Sequence, residues 1–136
     1  MREIKFRAWD TRYGEMKGNC PNLMLDLHGY LYWQFGFDEP RMVDQEQYTL
    51  MQYTGLKDRN GKEIYEGDIV RVGDSEDDPC ATIHQVLYFA EDDYPAFDLK
   101  PYLVDDCNGL SHAMAEGYIE VIGNVHENPD LLEAKS

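Results

Sequence analysis

The stretch from Tyr53 to Val72 constrains this chain more than any other. It reads Tyr53-Thr54-Gly55-Leu56-Lys57-Asp58-Arg59-Asn60-Gly61-Lys62, then Glu63-Ile64-Tyr65-Glu66-Gly67-Asp68-Ile69-Val70-Arg71-Val72. Asn60-Gly61 favours a tight turn, because both residues tolerate the positive φ that such turns require. Glu66-Gly67-Asp68 is a second turn, and it launches Ile69-Val70-Arg71-Val72, the pattern of a half-buried strand. No helix of useful length fits between turns so closely spaced. A Gly-Asp turn leading into Ile-Val-x-Val is common in small SH3-like barrels, an analogy that concerns fold alone.

The rest of the chain repeats the theme. Ile4, Phe6 and Ala8 alternate with Glu3, Lys5, Arg7 and Trp9, so one face of a strand is apolar. Asp10 to Gly14 is a turn, and Glu15–Lys17 is the returning strand. Residues 18–47 are the least legible part and read as a sub-domain or flexible insert. Leu23–Leu27 and Tyr30–Phe35 look like two short strands broken at His28-Gly29, with a short helix over 22–27 as the alternative. Tyr48–Tyr53 is a strand broken by Thr54-Gly55. Residues 81–90, Phe97 to Val104 and Tyr118–Val125 are further strands, the second interrupted by Pro101. Residues 111–115 suit a helical turn. Asn128-Pro129 reads as the cap and first residue of a short terminal helix over 129–132. The expectation is a single all-β domain over residues 1–136, a small barrel or sandwich of short antiparallel strands with a short C-terminal helix.

Charge limits the partners. The net charge is -15, and it is uneven. Residues 1–72 carry ten basic and twelve acidic side chains, whereas residues 73–136 carry two basic and fifteen acidic. An acidic second half repels phosphate backbones and anionic bilayers, which argues against direct nucleic-acid or membrane binding there. It reads first as a solubility surface and second as a face for a basic partner. Cys20, Cys80 and Cys107 are an odd set without CxxC spacing, which points to a reducing compartment. The N-terminus lacks the apolar segment of a signal peptide. The expected location is the cytoplasm.

Chemistry is harder to find. Cys80, His84, Cys107 and His112 are the only set with zinc-ligand character, and two such pairs can in principle close a site. Against it, His84 falls inside a predicted strand and the spacing lacks tight knuckles. Asp77-Asp78, Asp92-Asp93 and Asp105-Asp106 are read as solvated loop charge rather than cation sites. Asp58-x-Asn60-Gly61 lacks the later ligands of a calcium loop. No nucleophile motif or phosphate-cradling glycine loop occurs, and no cofactor is expected. Trp9, Trp33, Tyr30 and Tyr32 interleave with Arg7 and Arg12. That mixture suits base stacking, but it reads more simply as core or subunit interface.

Three blocks carry a family resemblance. They are Ile4-Lys5-Phe6-Arg7-Ala8-Trp9-Asp10; Tyr53–Asp58 with Asn60–Val70; and Glu120-Val121-Ile122-Gly123-Asn124-Val125-His126-Glu127-Asn128-Pro129-Asp130-Leu131-Leu132. In this order they resemble the YopX family of phage and prophage proteins. The resemblance implies a small, mainly β, phage-encoded protein that assembles as a homo-oligomer. It supplies no catalytic or ligand residues, although Asp58, Tyr65, Glu66 and Asp68 are candidates for a shared surface. The reading that follows is a non-enzymatic binding or assembly protein in a bacterial host, its partner a second copy or a basic host or phage protein. An acidic decoy of a DNA-binding protein, and a metal-dependent enzyme built on the Cys/His pairs, are the alternatives.

Overall fold

Short strands joined by tight turns give a mostly β protein with antiparallel pairing throughout. The structure is a computed structural model and describes residues 4–18, 20, 22–75, 77–88, 96–100, 110, 114 and 118–133. The chain divides into two units. One is Lys5–Met51, and the other is Gln52–Ser136 together with Met1–Ile4.

In the Lys5–Met51 unit, β1 (Phe6–Asp10) pairs with β2 (Glu15–Lys17), with Trp9 opposite Met16. Gly14 closes the hairpin at φ 63, donating its N–H to the Asp10 carbonyl at 2.8 Å. A second antiparallel group follows: β3 (Leu23–Leu25), β4 (Leu31–Trp33) and β5 (Arg41–Met42). The break expected at His28-Gly29 is the turn between β3 and β4, where the Asp26 carboxylate accepts the N–H groups of His28 and Tyr30, each at 2.9 Å. The sequence does not announce β5, because two exposed residues show no alternation. Gln45, in a single 3-10 turn (Gln45–Gln47), completes this group with its side chain. Its Oε1 accepts the Leu31 N–H at 2.8 Å, and its Nε2 donates to the carbonyls of Leu31 at 2.9 Å and Val43 at 2.8 Å. One side-chain amide satisfies the backbone of Leu31 as a neighbouring strand would.

The strand β6 (Tyr48–Lys57) is the longest among the described residues, and it pairs with β7 (Glu63–Tyr65) in a sheet of order β2-β1-β6-β7. Sequence reasoning breaks this strand at Thr54-Gly55. Instead it continues through a bulge. Gly55 takes φ 89, and the Thr54 hydroxyl donates to the Ile64 carbonyl at 2.7 Å while accepting the Leu56 N–H at 3.2 Å. The register slips between the pairs Tyr53↔Tyr65 and Lys57↔Glu63, and the strand resumes.

In the second unit, β8 (Asp68–Gly73), β9 (Thr82–Tyr88), β10 (Phe97–Lys100) and β11 (Tyr118–Asn124) form a sheet of order β10-β9-β8-β11. Its core joins Val70, Val72, Val86, Leu99, Ile119 and Val121 to Ile64 and Leu110. Each such side chain contributes about 1.5–3 kcal/mol relative to exposure. Leu110 and Met114 have helical backbone; the remainder of the predicted turn at 111–115, and the extension of β10 beyond Lys100, lie outside the described residues. The terminal helix α1 is Asp130–Glu133, one residue later than predicted. Asn128 does not cap it with its side chain. Its Oδ1 accepts the Asn124 N–H at 3.3 Å and lies over Gly123, where an added Cβ would sit 2.5 Å away. Close approach, not positive φ, reserves position 123 for glycine.

Buried aspartates tie these elements together. Asp58 is 6% exposed. Its Oδ1 accepts the N–H groups of Asn60 and Lys62 and its Oδ2 that of Val121 in β11, each at 2.9 Å. Arg59 reinforces the same junction, donating its N–H to the Ile119 carbonyl at 3.1 Å and setting its guanidinium over the Tyr118 ring at 4.4 Å. Asp98, 1% exposed, accepts the N–H groups of Leu99 and Leu110. Asp10, also 1% exposed, accepts those of Arg12 and Tyr13 and the side-chain amide of Gln47. Burial by itself raises the Asp10 carboxyl. These hydrogen bonds, with the Lys17 charge, outweigh burial and hold it below the ordinary 3.8.

Three outcomes test this account. Asp58→Ala leaves three amides without their acceptor and is expected to lower unfolding free energy by about 2–4 kcal/mol, whereas exposed Asp130→Ala shifts it by less than about 0.5 kcal/mol; urea midpoints distinguish the two. A carboxyl depressed in the folded state stabilises fully above its unfolded value and loses that effect as pH falls through the folded one. The deficit of Asp10→Asn at pH 7 is therefore expected to narrow as urea midpoints are followed down from about pH 4 to about pH 2. Gly123→Ala is expected to cost about 1–3 kcal/mol, with the Asn128→Ala double variant losing less than the two single losses combined.

Candidate functional site

The zinc-type quartet is not assembled by the described residues. Cys80 is exposed in the loop before β9, its N–H donating to Asp78 Oδ1 at 2.8 Å. His84 is 3% exposed within β9, opposite Val70, with its Nε2 2.6 Å from the Thr82 hydroxyl. The pleat thus commits His84 to the inner face of the sheet. Cys107 and His112 lie outside the described residues. Among the described residues no group of three or more His, Cys, Asp or Glu side chains is arranged to hold a metal.

The candidates Asp58, Tyr65, Glu66 and Asp68 also hold the fold together. Asp58 and Asp68 are 6% and 1% exposed, and Asp68 Oδ2 accepts the Tyr65 N–H at 2.8 Å. Tyr65 packs on Tyr53 with ring centroids 5.5 Å apart. Glu66 exchanges bonds with Gln52, donating its N–H to the Gln52 carbonyl at 2.9 Å. The two aspartates face inward, and Tyr65 and Glu66 are half-buried. In the acidic loop, Asp78 turns back to accept the N–H groups of Asp74 and Cys80, each at 2.8 Å. Those bonds hold its carboxyl below the ordinary range. Asp92, Asp93, Asp105 and Asp106 are outside the described residues.

A different constellation emerges in the Lys5–Met51 unit. A cleft of about 310 Å³ opens between the β1–β2 hairpin and the end of the β3–β4–β5 group. The hairpin contributes Asp10, Arg12, Tyr13 and Lys17; the other wall contributes Trp33, Phe35, Val43, Gln47 and Tyr48. Trp33 and Phe35 lie with ring centroids 6.5 Å apart, and the Arg41 guanidinium sits 5.7 Å from the Phe35 centroid. Lys17 Nζ donates to Glu15 Oε2 at 2.8 Å, which favours its charged form. Burial, with the Asp10 charge nearby, raises the Tyr48 phenol, so its hydroxyl stays protonated. A second cavity, of about 80 Å³, lies beside Leu23, Leu25 and Leu31 and is below the usual size of an organic-ligand site. Sequence reasoning noted Trp33 and Arg12 among interleaved aromatics and arginines. It missed Asp10, Val43, Gln47 and Tyr48, which reach the cleft from separate turns and leave no local pattern.

The same unit exposes many apolar side chains, of which Tyr13 and Phe35 line the cleft. Among the described residues ten large hydrophobic side chains are exposed, and eight of them belong to this unit: Phe6, Tyr13, Met24, Leu27, Tyr30, Phe35, Phe37 and Met42. Leu27 and Phe37 project fully into solvent.

Comparison with known proteins agrees with the fold. A family model described as YopX protein matches residues 5–133. The crystal structure of protein EF1440 from Enterococcus faecalis is 32% identical, with a TM-score of 0.65 over 97% of this chain and 99% of that one. The X-ray structure of the yopX protein from Bacillus subtilis is 23% identical, with a TM-score of 0.65 over 97% of each chain. No curated protein matches the sequence. The chain, matched along nearly its whole length, belongs to the YopX protein family.

Proposed function

We propose that this protein is a non-enzymatic binding and assembly protein of phage or prophage origin, acting in the bacterial cytoplasm, with its recognition surface on the Lys5–Met51 unit. The observation that carries the reading is the concentration of exposed apolar side chains there, eight of the ten among the described residues. Single exposed hydrophobics are ordinary on any protein. Tyr, Phe, Met and Arg gathered in one unit are the residue types enriched where proteins meet. The partner is a second copy of the chain. Association of two such surfaces removes Phe35, Phe37 and Leu27 from water, and the strongly acidic residues 73–136 are best left outside a contact between like-charged copies.

Size-exclusion chromatography with light scattering at high micromolar concentration tests this. The expected mass is a multiple of 15.8 kDa, falling to the monomer in the Phe35→Asp, Phe37→Asp double variant with circular dichroism unchanged. A monomeric wild-type chain, or a double variant with undiminished mass, overturns the reading.

A further inference from the structure

We propose that the cleft of the Lys5–Met51 unit binds a nucleoside monophosphate, with the base against its aromatic walls and the phosphate on Arg12. The inference goes beyond the assembly reading, since a small ligand here neither requires nor excludes a protein partner.

Size comes first. At about 310 Å³ the cleft is at the small end of cavities that hold organic ligands. It suits one base with its sugar phosphate at the mouth. The walls come next: Trp33, Phe35 and Tyr48 line the space, and a planar base stacks on aromatic rings whatever its identity.

The hydrogen-bonding groups then narrow the choice. The Arg12 backbone N–H is bound to Asp10, but its guanidinium has no partner among the described residues. The indole N–H of Trp33 and the hydroxyl of Tyr48 likewise make no hydrogen bond to the described residues. Of the two cations that line the cleft, Lys17 is tied to Glu15, which leaves Arg12 for a ligand. Its planar fork matches two phosphate oxygens at once. Asp10 supplies the opposite polarity. Its Oδ1 takes three hydrogen bonds, whereas its Oδ2 takes none from the described residues although the residue is only 1% exposed. That oxygen is not among the buried atoms lacking a partner, so it keeps some exposure and is open to a donor in the cleft. The exocyclic amino group of adenine, guanine or cytosine provides one, and uracil lacks it.

Long-range charge selects the mononucleotide over the polymer. The whole chain carries a net charge of -15, which opposes each added phosphate of a strand. Residues 5–51 carry five basic and seven acidic side chains, a far milder balance.

The test is titration of the full chain with AMP, UMP, adenosine and a 5′-phosphorylated oligothymidylate. It is followed by calorimetry and by tryptophan fluorescence, since Trp33 is one of only two tryptophans. Saturable AMP binding is expected, roughly tenfold or more weakened by Arg12→Gln and by removing the phosphate, as for loss of a charge-assisted hydrogen bond. UMP is expected to bind more weakly than AMP. Arg12 is exposed, so the variant retains its fold, and an unchanged circular dichroism spectrum verifies this. Absence of saturation with AMP up to about 5 mM, equal affinity in Arg12→Gln, or binding of the oligonucleotide without binding of AMP overturns the proposal. None of these outcomes depends on oligomeric mass, so failure here and failure of the assembly reading are separable.

Discussion

The structure depends on aspartate carboxylates that accept backbone N–H groups in and beside its turns. Asp58 is the most consequential, because one side chain closes its own turn with Oδ1 and reaches β11 with Oδ2. Asp10, Asp68 and Asp98 do comparable work at 1% exposure. A turn between short strands leaves amides that no ladder reaches, and burial without an acceptor costs about 1–3 kcal/mol per group. A carboxylate satisfies several such amides at once, and each bond is stronger for its charge. Part of the chain's acidity is therefore internal wiring rather than solvated surface.

This also explains what could be read from the sequence. Local patterns were legible. The first strand (although Ile4 and Phe6 of its alternating apolar face are exposed and only Ala8 is buried), the break at His28-Gly29, the Asn60-Gly61 turn and the apolar run in β8 each depend on neighbours a few residues away. What escaped depends on residues far apart. Thr54-Gly55 looks like a stop until Ile64 arrives to accept the Thr54 hydroxyl. Gln45 looks like a polar connector until Leu31 meets it. Asn128 looks like a cap until it folds back onto Gly123. Asp58 looked like surface because nothing in its own turn reveals Val121.

The same reasoning applies to the site. Arg12 and Trp33 stood out by residue type, but the cleft also needs Asp10, Gln47 and Tyr48 from other turns. The Cys80–His84 spacing drew attention as a ligand pair, yet one residue sits in an exposed loop and the other on the inner face of β9. Within the described residues, the Gln52–Ser136 unit holds the main aliphatic core, whereas the Lys5–Met51 unit holds the aromatic cleft and most of the exposed apolar side chains. On the proposed assembly reading, stability and recognition draw on different stretches of the chain.

The division between the two units falls at Met51–Gln52, inside β6 rather than in a loop. No cut can excise either unit without severing a hydrogen-bonded extended strand, so truncation is a poor way to dissect this protein. Roles are better assigned by point substitution on the intact chain. Tags and reporters belong at solvent-facing positions outside both β6 and the exposed apolar side chains of the Lys5–Met51 unit, where added residues leave that shared strand whole.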